Sequence, residues 1–167
     1  MWAGAPAMAL VGLLVGFYFL NWIPPVPLSM KFGGMYHEVK RAGDHFELSY
    51  EKRWFQVWQR SNTTVAADEP IYCFTAVFAP VTLKTTVYHH WYYRSDKSKP
   101  FSHADKIPLK IAGGREGGYR AYTFKQGLDV GDWRVDVETE DGRVIGRVPV
   151  HVEKRDDASR SLTTIVY

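Results

Sequence analysis

The apolar and polar positions of this chain follow two regimes. Residues 3–23, AGAPAMALVGLLVGFYFLNWI, contain no charged side chain. That is close to the ~20 apolar residues a helix needs to cross a bilayer. Trp2 and Trp22 flank the run, where aromatic anchors meet headgroups. No basic n-region precedes it, as a cleaved signal peptide would require. The spacing therefore predicts a transmembrane helix over 1–23, with Gly12 and Gly16 spaced for close approach of a second helix. Pro24, Pro25 and Pro27 then predict a stiff extended linker over 24–34.

After the linker, helical periodicity is absent and period two takes over. The clearest case is Gly131–Val152. Trp133, Val135 and Val137 share one face, and Arg134, Asp136 and Glu138 the other. Asp141-Gly142 signals a two-residue type I′ turn. The return arm puts Val144, Val148, Val150 and Val152 on one face, and Pro149 marks an edge or a bulge. Further strands are predicted at Met35–Arg41, Phe46–Gln59, Pro70–Ala79, Thr85–Arg94, Lys106–Ala112 and Tyr119–Lys125. Leu162–Val166 is a last strand or a tail. The continuous apolar run 70–79 suits a central strand covered on both faces. Short strands separated by turn signals predict an all-β fold, an antiparallel immunoglobulin-like β-sandwich, over 35–154. Residues 155–167 form a C-terminal tail or extra strand.

Composition narrows the function classes. The 167 residues carry 21 basic and 18 acidic side chains, a net charge of +3. This balance does not argue for nucleic acid, whose binding usually needs a clustered basic face. Cys73, the one cysteine, excludes an intrachain disulfide and a multi-cysteine zinc site. Flanked by Tyr72 and Phe74, it reads as a buried small hydrophobe.

Candidate chemistry gathers at the loop Gly113–Gly118. Backbone amides in a glycine-rich loop can form an anion-binding nest. Arg115, Glu116, Tyr119, Arg120 and Tyr122 are the candidate ligand-binding residues, with arginine forks for a carboxylate or phosphate and tyrosine rings for stacking on a sugar. The same loop also reads as a plain hairpin connection. His89 and His90 are adjacent in a strand and point to opposite faces, so they cannot share a metal, and no histidine spacing predicts one. Trp91 reads as a core anchor. Asp136 and Glu138 stand about 6.5–7 Å apart on one face, a spacing seen in glycoside chemistry. Arg134, Arg143 and Arg147 are placed to neutralise them, which reads as a solvated charge ladder. No nucleophile–base motif is present, and no catalytic residue, metal or cofactor is predicted.

Several segments together carry a family resemblance: Pro24–Lys31 with Tyr36-His37, Tyr72–Pro80, His89-His90-Trp91, Gly113–Arg120, Gly131–Thr139 and Gly142–Arg147. In order and spacing they resemble the bacterial family known as domain of unknown function 2914. The resemblance implies several membrane helices before a C-terminal β domain, and this chain begins at what looks like the last of those helices. It implies no activity and no catalytic residues. The basic flank before that helix in longer relatives implies a β domain outside the cytoplasm. Lys31, Lys40 and Arg41 favour the opposite, cytoplasmic side by the positive-inside rule. The expectation is a non-enzymatic module in the inner membrane, single-pass in this chain, its partners the lipid bilayer and an envelope saccharide or protein. The alternative is a structural or assembly subunit of a larger membrane complex.

Overall fold

The structure, a computed structural model, describes residues 4–20, 28–52, 60–81, 83–95, 100–114, 117–154 and 161–167. It begins with helix α1 (Gly4–Phe19) and continues with β1 (Ser29–Tyr36), β2 (Glu38–Ala42), β3 (His45–Glu51), β4 (Thr64–Ala66) and β5 (Ile71–Phe78). Then follow β6 (Lys84–Arg94), β7 (Ser102–Ala112), β8 (Tyr119–Lys125), β9 (Gly131–Thr139), β10 (Val144–Glu153) and β11 (Leu162–Val166). The strands form three sheets, in the orders β1-β5-β8, β4-β10-β9-β6-β7 and β11-β3-β2. Every pairing is antiparallel except β4 with β10, which is parallel over three residues.

The sheet β1-β5-β8 is the middle layer, and β5 explains why. Its side chains alternate between two hydrophobic environments, as a strand covered on both faces must. Ile71 and Cys73 pack with Trp91, Trp133, Val135, Val148, Val150 and Val152 of the five-stranded sheet. Val77 joins Val87 and Val137 of the same sheet. Phe74 faces the opposite way, onto Val39, Leu48 and Tyr50 of the sheet β11-β3-β2. Trp91, Phe74, Cys73 and Val135 are wholly buried. The fold is thus an all-β, predominantly antiparallel sandwich with a third, smaller sheet laid on its back.

The helix differs from its sequence expectation. As described, α1 has 16 residues, about 24 Å at the α-helical rise, against a hydrocarbon core of about 30 Å. No helix among the described residues is long and apolar enough to cross a membrane. Residues 1–3 and 21–27, including Trp2, Trp22 and Pro24–Pro27, lie outside the described residues. The side chains α1 does show lie open on every side, Met8 at 74%, Leu10 at 60% and Leu14 at 49% exposure.

Other boundaries also move. The strand β1 starts at Ser29, inside the stretch 24–34 read as linker, and the strand read at Met35–Arg41 is two strands parted at His37. The span Phe46–Gln59 is β3 up to Glu51, while 53–59, with Trp54, Phe55 and Trp58, lies outside the described residues. The C-terminal segment is a true strand, β11, registered on β3 from Leu162↔Glu51 to Val166↔Glu47. The β9–β10 turn has three residues, Glu140-Asp141-Gly142, rather than two. Thr139 and Arg143 close it through Thr139 N–H to Arg143 O, and Gly142 N–H donates back to Thr139 O. Gly142 supplies the positive φ of 80° that such a turn ends on. The register then slips between Val144 and Gly146. This bulge turns Val144 outward to 38% exposure, while Val148, Val150 and Val152 stay buried. Pro149 sits in the part of β10 that β4 does not reach, since β4 pairs only His151–Glu153.

Candidate functional site

Period two decides where the predicted site residues go. On β8, Thr123 faces the five-stranded sheet, and Tyr119 packs on that same side beside Val77 and Val87. Arg120, Tyr122 and Phe124 face away. Arg120 donates to Asp44 O at 2.9 Å and lies 5.3 Å from the Tyr167 ring centroid. Tyr122 contacts Phe46 and Tyr72, and Phe124 stacks on Tyr72 at 5.5 Å. The structure therefore brings Arg120 and Tyr122 to one face and separates them from Tyr119. Arg115 and Glu116 lie outside the described residues. The amides of Gly113 and Gly114 donate to Leu83 O and Ala79 O, so these two do not form an anion nest. Gly113 is held flat against the Pro80 carbonyl, where a Cβ would collide.

Tyr119 instead lines a cleft of about 460 Å³ at the glycine-loop end of the sandwich, with Lys84, Thr85, Thr86, Lys110, Ile111, Ala112 and Glu140. The β6–β7 register sets Thr86 opposite Lys110 and Lys84 opposite Ala112, so the two lysines are diagonal neighbours on one face. Sequence reasoning passed over both because only the strand register unites them.

The outer face of the five-stranded sheet carries a second polar array. Residues of β6 and β9 pair as His90↔Asp136, Tyr92↔Arg134 and Tyr88↔Glu138. Glu138 Oε1 meets His90 Nδ1 at 2.9 Å, and its Oε2 meets Lys106 Nζ at 3.0 Å. Tyr92 OH lies 2.9 Å from His90 Nδ1. Asp136 Oδ1 pairs with Arg134 at 2.9 Å and Arg147 at 3.3 Å. The solvated ladder expected here is in fact buried: Asp136 is 2% and Glu138 6% exposed. Long cationic side chains cover these carboxylates with their stems. Arg143 takes no part and pairs with Asp141 in the turn. Burial pushes the Glu138 carboxyl upward, but hydrogen bonds from Lys106 and His90 outweigh it and hold the group below the usual range. His90 Nε2 is buried without a hydrogen-bond partner among the described residues. At the far end, Asp132 bridges Arg94 at 2.6 Å and His151 at 2.8 Å, and those hydrogen bonds depress its carboxyl. These three side chains line a smaller cleft of about 320 Å³ with Phe101 and Trp133.

His89 serves the interior. It is fully buried, with Nε2 2.8 Å from Thr75 Oγ1 and Nδ1 2.9 Å from Thr123 Oγ1. Trp91 Nε1–H donates to the same Thr123 hydroxyl at 3.2 Å. The ring thereby ties β6 to β5 and β8 across the sandwich. Burial lowers its pKa to about 4, so it is neutral near pH 7 and holds a structural place.

These features define an all-β sandwich domain with polar clefts at two ends of its largest sheet. Residues 84–152 match the model of the family described as "Protein of unknown function (DUF2914)", which supports the resemblance carried by the motifs. That span runs from β6 to β10 and so includes both polar arrays. No curated protein matches the chain. Among solved structures, the Pseudomonas fluorescens alkylpurine DNA glycosylase AlkC, bound to DNA containing an abasic-site analogue, is similar at 10% identity and a TM-score of 0.47. The match covers 83% of this chain and 33% of the glycosylase, so the chain spans about a third of that protein's length. An immunoglobulin-like protein from Pseudomonas aeruginosa is similar at 10% identity and a TM-score of 0.41, over 78% of this chain and 99% of that one. Neither likeness speaks to function.

Proposed function

We propose that this protein is a non-enzymatic, membrane-tethered binding module of the bacterial cell envelope, its β-sandwich lying outside the cytoplasm. The observation behind the tether is α1. Its described side chains include no charge, and Met8, Leu10, Val11, Leu13, Leu14 and Val15 are all at least 49% exposed. Leaving so much apolar surface in water costs roughly 25 cal/mol per Å², and a lipid phase removes that cost. The uncharged run continues to Ile23, so the segment reaches spanning length beyond α1 itself. Binding is supported by the cleft beside Tyr119, where cationic, hydroxyl and aromatic groups converge. The test is accessibility of an added C-terminal cysteine to a membrane-impermeant thiol reagent in intact cells. Labelling before lysis is expected. Labelling only after lysis would place the sandwich in the cytoplasm and turn the search to soluble ligands.

A second reading, a subunit of a larger membrane assembly, draws on Tyr122 and Phe124. They are 40% and 52% exposed on β8, an edge strand of its sheet. An aromatic edge of this kind suits a protein neighbour.

A further inference from the structure

We propose that the cleft beside Tyr119 is a site for an anionic sugar, a pyranose unit carrying a carboxylate; this deepens the binding-module reading and rests on it. The five-stranded sheet carries six Lys and Arg side chains on its strands: Lys84, Arg94, Lys106, Lys110, Arg134 and Arg147. Four of them lie within 3.3 Å of a carboxylate: Arg94 pairs with Asp132, Lys106 with Glu138, and Arg134 and Arg147 share Asp136. The two that line the cleft, Lys84 and Lys110, form no ion pair among the described residues. They are also diagonal neighbours, and like charges so placed repel unless a counter-charge lies between them. Among the described residues the sheet's other cations each touch a carboxylate, whereas an anion seated in this cleft meets two ammonium groups against the one carboxylate of its lining, Glu140.

The rest of the lining fits a hydroxylated ring better than a bare ion. Thr85 and Thr86 both donate and accept hydrogen bonds, Glu140 accepts, and the Tyr119 ring supplies an apolar wall. A volume of about 460 Å³ falls within the ~300–1,000 Å³ of small-molecule sites. The orientation follows: the carboxylate lies over Lys84 and Lys110, with hydroxyls toward Glu140 and the threonines.

Amide chemical shifts of the full chain in detergent, titrated with glucuronate, glucose and inorganic phosphate, test this. Glucuronate is expected to give saturable shifts at Lys84, Thr86, Lys110 and Tyr119, and glucose to bind roughly tenfold or more weakly, because charged hydrogen bonds add about 1.5–3 kcal/mol. K84A/K110A should lose the glucuronate response with the fold intact by its other amide shifts, and K84R/K110R should keep it. Equal response to glucose, phosphate binding as tightly as glucuronate, or no shift at the cleft would each overturn the proposal. Detergent dependence of the same preparation reports the tether separately, so an empty cleft and a failed tether are distinguishable.

Discussion

Replacing Thr123 by Val probes the polar clasp inside the sandwich. The swap keeps the side chain's volume and removes one hydroxyl. That hydroxyl serves two buried groups, His89 Nδ1 at 2.9 Å and Trp91 Nε1 at 3.2 Å. Both residues are wholly buried, so water cannot replace the lost partner without opening the interface. Each buried polar group left unpaired costs about 1–3 kcal/mol, giving about 2–6 kcal/mol for the pair. Domains of this size are stable by about 5–15 kcal/mol, so the variant should unfold at a much lower urea concentration with an unchanged m-value. Urea titration followed by tryptophan fluorescence reads this directly. Adding His89→Leu removes one of the stranded groups, so the double variant should cost less than the sum of the singles by about 1 kcal/mol. A Thr123→Val variant within 0.5 kcal/mol of wild type, or strict additivity in the double, would refute the clasp.

Acid should loosen the same contact. The folded-state pKa of His89, about 4, lies below its ordinary value of 6.5, so the unfolded chain takes up the proton first. The stabilisation is complete above pH 6.5, falls as the pH drops toward 4, and amounts to something on the order of 3 kcal/mol; His89→Leu should abolish that part of the slope in urea titrations across this window. Asp136→Ala leaves Arg134 and Arg147 facing each other without their shared carboxylate and should cost about 3 kcal/mol by the same assay. Cys73 is fully buried, and burial pushes its thiol pKa up. It should therefore resist thiol reagents in the native protein and react once urea unfolds it. Gly113→Ala drives a methyl into the Pro80 carbonyl and should cost about 1–3 kcal/mol, read as a lower thermal midpoint.

What the sequence revealed tracks how local each signal is. The doubly covered strand β5 was legible because its run from Ile71 to Phe78 has no polar face to expose. Period two correctly set Trp133, Val135 and Val137 inward and placed His89 and His90 on opposite faces. The third sheet escaped notice because β2 and β3 carry Glu38, Lys40, Glu47 and Glu51 on their outer face, and because β3 finds its partner far along the chain, as in the Ser49–Thr164 hydroxyl contact at 3.2 Å. The turn was misread because Asp-Gly serves both two- and three-residue hairpins. Of the candidate site, the glycine loop lies at the end of the sandwich where the Tyr119 cleft opens. Arg120 and Tyr122 turn away from it by the same alternation that brings Tyr119 toward it. Lys84 and Lys110 are 26 residues apart in sequence and meet only through strand register. The burial of Asp136 and Glu138 was hidden because composition does not show which long side chains will lie over a carboxylate.

The most direct test of the tethered-module account is fractionation of cells expressing the full chain beside a chain lacking residues 1–27. The account predicts that the full chain stays with the membranes after high-salt and carbonate washes and leaves them only in detergent, while the shortened chain is recovered folded in the soluble fraction. A full chain released by salt, or a shortened chain that still sediments with membranes, would contradict it.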